Sequence, residues 1–287
     1  MKPILMPLLA LLALLAALPL PALAASDPPA WREPAEPFRI VGNIFYVGSK
    51  GLAAYLIATP DGAILIDGTL EDDVPMIERN IGKLGYRMRD VKILLNNHAH
   101  FDHAEGLAHL KRDSGAKMIA SWEDAGALES GTPPSDMDYG VHKFTPVKVD
   151  RTIRNGSTVK LGSMVLKAVL TPGHTPGCTT WTTTVMDRGK PVKVVFLGSI
   201  TVAGSKLVGN KGYPGVVNGF RLSFARLDQL HADVVLPFHP ELNDLMGREA
   251  RKQAGDLGAF EHPDELPMIV AKARADFEGD LAKAKTE

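Results

Sequence analysis

The chain has 287 residues, 45% of them hydrophobic and 23% charged, so it can bury a full core as one large domain or two small ones. Its 32 basic and 33 acidic residues leave a formal net charge of −1, which argues against a polyanion-binding surface and against nucleic acid as a partner. A single cysteine, Cys178, excludes an intramolecular disulfide, so the core and any bound metal must supply stability.

The first 25 residues stand apart from the rest. Met1-Lys2 is a minimal charged start, and the apolar run Ile4 to Leu18 follows it. Pro19 and Pro21 then break the run before Ala22-Leu23-Ala24, a small-x-small cleavage site. This pattern predicts a secretory signal peptide cleaved after Ala24 or Ala25, and hence an exported protein. The run is too short and too broken by proline for a stable membrane anchor. Residues 26–37 are polar and proline-rich and are expected to form a flexible mature N-terminus, leaving residues 38–287 as a single domain.

From Phe38 the pattern changes to short β-rich segments, Phe38–Val41, Ile44–Val47, Ala54–Ala58 and Ala63–Ile66, separated by glycine-bearing turns. The last ends in Asp67-Gly68-Thr69, an acidic turn after a buried strand. A helix is predicted over Val74 to Leu84, a strand over Val91 to Leu95, and a helix carrying Leu107 and Leu110 inward. Lys117–Ala120 reads as a strand and Trp122–Leu128 as a short helix. Residues 129–143 read as a surface loop. A second β-rich block follows, with strands at Val147–Val149, Thr158–Leu161, Met164–Leu170, Thr179–Val185 and Val192–Leu197. Helix signals return at Pro214–Leu230, then a strand at Val234–Leu236, then helices at Glu249–Leu257 and Asp264–Lys285. Strands followed by helices, twice over, predict an α/β fold of two sheets packed together with helices on both outer faces, an αββα sandwich.

Between the Val91–Leu95 strand and the helix beyond it stands His98-Ala99-His100-Phe101-Asp102-His103. Strand ends are where α/β proteins keep their chemistry. Imidazole and carboxylate are ligands for a borderline-soft ion such as zinc. Two further histidines follow strands. His174 lies in the proline-flanked turn Thr171-Pro172-Gly173-His174-Thr175-Pro176-Gly177, and His239 lies in Pro237-Phe238-His239-Pro240. Two ions sharing a water need about six protein ligands. Five histidines and Asp102 make that set. The other histidines, His109, His142, His231 and His262, read as surface or hydrogen-bonding residues, and Cys178 as a small buried one.

These motifs resemble the metallo-β-lactamase fold superfamily, from about Phe38 to the late helices. The resemblance implies that His98, His100 and His174 hold a first zinc ion and that Asp102, His103 and His239 hold a second. It makes Asp67 a support rather than a ligand. Many hydrolases of the superfamily carry a bridging aspartate after the strand that here ends at Leu197, and the first β-lactamase subclass carries a cysteine. This chain has Gly198-Ser199-Ile200-Thr201. Serine there, with all five histidines kept, is similar to the third subclass (B3) of class B metallo-β-lactamases. So are Gly51-Leu52-Ala53-Ala54-Tyr55-Leu56-Ile57, His174 to Trp181 and Tyr213-Pro214-Gly215. One departure is Ala203-Gly204-Ser205, where that family often has Pro-Gly-Tyr.

The resemblance implies zinc-dependent hydrolysis of the β-lactam amide by metal-activated water in the periplasm, conferring antibiotic resistance. Asp102 guides a proton to the ring nitrogen, and Ser199 and Thr201 contact the substrate. A small-molecule β-lactam is the expected partner, and a monomer the expected state. A lactonase or thioesterase on the same fold, or a non-catalytic zinc-binding protein, are the alternatives.

Overall fold

Near-continuous apolar runs give the central strands two buried faces, and both sheets use them. In β3 (Tyr55–Thr59), Tyr55 and Ile57 face the space between the sheets, while Leu56 faces the outer helices. In β11 (Lys190–Leu197), Val194 and Phe196 face inward and Val195 and Leu197 outward. The computed structural model describes residues 27–133, 137 and 141–286, so the predicted signal peptide lies outside the described residues.

The first sheet has seven strands whose neighbours run in chain order: β1 (Phe38–Val41), β2 (Ile44–Tyr46), β3, β4 (Gly62–Ile66), β5 (Val91–Leu95), β6 (Lys117–Ser121) and β7 (Arg151–Ile153). Pairing is antiparallel through β4 and parallel from β4 to β7. The second sheet has five strands: β8 (Thr158–Leu161), β9 (Met164–Leu170), β10 (Thr179–Asp187), β11 and β12 (Val234–Pro237). Its pairing is antiparallel except for the parallel β11–β12 pair.

The helices α1 (Val74–Lys83) and α3 (Leu107–Ser114) cover the outer face of the first sheet, and α4 (Trp122–Ser130) adds Ala127 and Leu128 to the same layer. The one-turn α2 (Phe101–Ala104) belongs to the functional site. On the second sheet, α5 (Val216–Leu227) and α7 (Glu265–Ala284) form the outer layer. The helix α6 (Leu245–Gln253) inserts Leu245 into the core between the sheets. This is the αββα sandwich, with one apolar layer between the sheets and one under each set of helices. The inner layer buries Tyr46, Tyr55, Trp181, Phe196 and Phe238 almost completely. Each such side chain stabilises the fold by about 1.5–3 kcal/mol. The polar tips are met as well. The Tyr55 hydroxyl donates to Pro237 O, and Trp181 Nε1 donates to Asn96 O at 3.4 Å, tying one sheet to the other.

Three segments differ from expectation. Val147–Val149 is not a strand: Val147 N donates to Leu128 O at the end of α4, and the pairing edge of the sheet is the polar segment β7. The penultimate helix spans Leu245–Gln253 rather than Glu249–Leu257, starting directly after the left-handed residue Asp244. The proline-rich stretch expected to be flexible contains a 3-10 turn, Pro29–Trp31, and Gly51 approaches it closely. Beyond the turn, Lys50 N donates to Glu33 O at 2.8 Å. No described helix is long and apolar enough to cross a membrane.

Candidate metal centre

The loops that carry His98–His103, His174, Ser199 and His239 all follow the C-terminal ends of strands, along one edge of the sandwich. Two backbone bonds hold them in register. Asp67 N donates to Leu95 O at 2.9 Å, and Thr179 N donates to Asn97 O at 2.7 Å across the two sheets. The chain then turns into α2, whose first residues are Phe101, Asp102 and His103.

The six expected ligands converge. Ligand atoms of His98, His100 and His174 lie within 4.8 Å of one another, and so do those of His98, Asp102 and His103. His239 completes the second group, with Nε2 3.3 Å from His103 Nε2 and 3.4 Å from Asp102 Oδ2. All are buried except His239, which is partly open to solvent.

The far side of several rings is anchored, which fixes the nitrogen that faces inward. His174 Nδ1 donates to Thr201 O at 2.8 Å, and His103 Nδ1 donates to Asp67 Oδ2 at 3.0 Å. Asp67 is fully buried, with a left-handed φ of 66°, and also accepts from Asn97 N at 2.8 Å and Asn96 Nδ2 at 3.1 Å. It is thus a support for His103 and for the strand end that carries the cluster.

Electrostatics match a cation site. Burial, and then the neighbouring imidazoles, hold His98 and His100 well below the usual histidine range. Burial takes His174 down to about 4. These rings are neutral at pH 7, with lone pairs available. Nε2 of His98 is buried and has no hydrogen-bond partner among the described residues, and Nδ1 of His100 faces Nε2 of His174 at 3.0 Å, two neutral acceptors turned on each other. Buried nitrogens without partners are rare, and a bound cation supplies what they lack. For His103, burial opposes the charge but the Asp102 and Asp67 carboxylates outweigh it, raising it to about 10. The same two carboxylates that hold a proton on His103 favour a metal cation in the proton's place, so the donor set fits metal ions.

A cleft of about 260 Å³ opens beside His239, lined by Pro28, Trp31, Ser199, Ile200 and Thr201 among others. It adjoins a larger groove of about 750 Å³ that runs along α7 and shares Ile200, Thr201 and Leu242 with it. Thr201 thus serves twice, its carbonyl orienting His174 and its residue lining the cleft. Ser205 is buried, with its backbone N bonded to Val202 O at 2.9 Å. An aromatic face comes instead from Trp31, whose ring centroid lies 5.7 Å from that of His239 and 6.1 Å from that of Phe101. His142, read from sequence as an ordinary polar residue, stacks on Phe101 at 4.8 Å.

Sequence reasoning passed over Trp31 and Asp124. Nothing in a proline-rich stretch signals that its tryptophan folds back onto a histidine. Asp124, in the first turn of α4, reads as part of a Ser-x-x-Asp helix start. Burial pushes its carboxyl up to about 6, although three donors pull the other way.

The model of the metallo-beta-lactamase superfamily matches residues 51–239, which include all six converging side chains. The chain belongs to the metallo-beta-lactamase superfamily. Solved members of the superfamily cover nearly all of it. BJP-1, a subclass B3 metallo-beta-lactamase of Bradyrhizobium japonicum, is 40% identical with a TM-score of 0.86, over 90% of this chain and 98% of that one. Native FEZ-1 metallo-beta-lactamase from Legionella gormanii is also 40% identical, with a TM-score of 0.85, over 89% and 98%. Among curated relatives, a hydroxyacylglutathione hydrolase of Methylobacterium sp. (strain 4-46) is 31% identical over 105 residues. That match covers 36% of this chain and 33% of the relative, so the chain spans about a third of that superfamily member's length.

Proposed function

We propose that the protein hydrolyses the amide bond of β-lactams with two zinc ions, acting in the periplasm as a monomer and conferring β-lactam resistance. The observation that carries this reading is the reach of the likeness. Subclass B3 enzymes match at 35–40% identity over about nine-tenths of the chain, whereas hydroxyacylglutathione hydrolases match over 36–48% of it.

His98, His100 and His174 would hold one ion, and Asp102, His103 and His239 the other. The chemistry such ions supply when bound is polarisation of a carbonyl and a water made nucleophilic near neutral pH. The remaining work falls to the chain. Thr201 O and Asp67 keep the His174 and His103 rings aimed inward. Asp102, whose Oδ2 lies 3.2 Å from His103 Nε2, would carry a proton to the departing ring nitrogen. Ser199 and Thr201 offer hydroxyls to the substrate carboxylate, and the Trp31 ring shields the cleft from water.

The test is nitrocefin hydrolysis by zinc-loaded protein, before and after EDTA dialysis, alongside a homoserine lactone and a glutathione thioester. β-Lactam turnover lost with zinc and restored by it is expected. Turnover by protein shown to hold no zinc would overturn the reading, and preference for the thioester would favour the relationship to hydroxyacylglutathione hydrolases.

A further inference from the structure

The carboxylate of Asp124 belongs to no feature of the site described so far. It is almost completely buried, and all three of its hydrogen bonds leave its own helix. Oδ2 accepts from Ala99 N at 3.1 Å and from Thr175 Oγ1 at 2.7 Å, and Oδ1 accepts from Gly177 N at 2.7 Å. Ala99 separates His98 from His100, while Thr175 and Gly177 belong to the turn that carries His174. One side chain from the first half of the chain therefore grips both segments that present these three histidines.

Capping does not explain it. Ser121 Oγ already accepts from Asp124 N at 3.1 Å, which satisfies the start of α4. Contact at Gly177 is close enough that an added Cβ would lie 2.0 Å from Ser121 Oγ and 2.7 Å from the Asp124 carboxyl carbon. The turn is thus pressed against the helix end with no room to slide. A buried carboxylate held by neutral donors alone is costly in a core, and a cation bound nearby would offset that cost.

We propose that Asp124 is a positioning residue that sets the spacing between the His98–His100 segment and the His174 turn, and so fixes metal affinity at that cluster selectively. The proposal rests on the metal assignment above but not on the substrate. Carboxylate is required because one group must accept from two backbone amides and a hydroxyl together. Asparagine would turn an NH2 group towards a donor.

The experiment is competition of full-length mature protein with a chromophoric chelator, which resolves two zinc equivalents, together with thermal melting of the metal-free forms. Asp124→Asn should weaken one equivalent by about 10–100-fold and leave the other within about threefold, the range seen when a group supporting a ligand is lost. Asp67→Asn should weaken the opposite equivalent, because it supports His103. The metal-free melting temperature of Asp124→Asn should not fall. Equal weakening of both equivalents, a lowered metal-free melting point, or unchanged affinity would each overturn the proposal. Should Asp124→Asn fail to fold, Thr175→Val decides: a several-fold loss confined to the same equivalent is expected, and no loss would overturn the proposal. If the unmodified protein does not bind two equivalents, the metal assignment itself fails instead.

Discussion

Among single residues, the ring that completes a metal cluster should outweigh the hydroxyl beside it. His174→Ala removes a converging nitrogen, so it should lose one zinc equivalent by metal analysis and nearly all β-lactam turnover. Ser199→Ala should keep both equivalents and lose only part of kcat/KM; equal losses would reverse the roles. A second residue governs pH behaviour. Burial, opposed by a 3.0 Å bond from Thr69 Oγ1, raises Asp73 to about 6 from an ordinary carboxylate value near 3.8. Between those values the folded chain holds more protons than the unfolded one, so stability falls as pH rises from about 4 to 6. Asp73→Asn should therefore raise the melting midpoint at pH 8 by the equivalent of about 1–2 kcal/mol, and the gain should vanish at pH 4. The histidine cluster was readable because four of its ligands fall within six consecutive positions. Asp124 was not, because its partners lie 25 to 53 positions away and no local pattern encodes them.

Secondary-structure elements carry the next level of control, and the His174 turn shows it best. The helix α5 backs the turn: Arg226 Nη1 donates to Leu170 O at 2.6 Å, and Ser223 Oγ donates to Pro172 O. Gly173 has a φ of 133°, and a Cβ there would come within 2.6 Å of the Phe220 ring. Gly173→Ala should thus destabilise the fold by about 1–3 kcal/mol through overpacking, with further backbone strain. Thermal melting reads the first effect, and release of the zinc equivalent assigned to His174 under the proposal reads the displacement of the turn. The strands in the middle of each sheet were legible because they are apolar and alternate or run continuously. Edge strand β7 was not: Arg151 and Thr152 are exposed, and only Ile153 is buried. Val147, apolar and buried, drew the strand assignment instead, but its backbone is satisfied by the end of α4.

Across the whole molecule, strand order follows chain order within each sheet, so most pairing is local in sequence. That is why two similar halves could be read from the pattern, while the bonds that join them, such as Tyr55 to Pro237 and Asn97 to Thr179, could not. The same layout divides the proposed metal ligands. His98, His100, Asp102 and His103 follow the first sheet, and His174 and His239 follow the second. Neither of the two proposed ligand sets is complete within one half, so the proposed two-metal centre needs the sheets docked. A cation that binds the docked state alone stabilises it by mass action, in proportion to the logarithm of its concentration above the dissociation constant. Metal supply would then become a survival factor for the chain itself. With zinc as the proposed ion, scarcity would let a larger share of molecules open along the seam between the sheets and meet proteases, so enzyme abundance would decline along with activity.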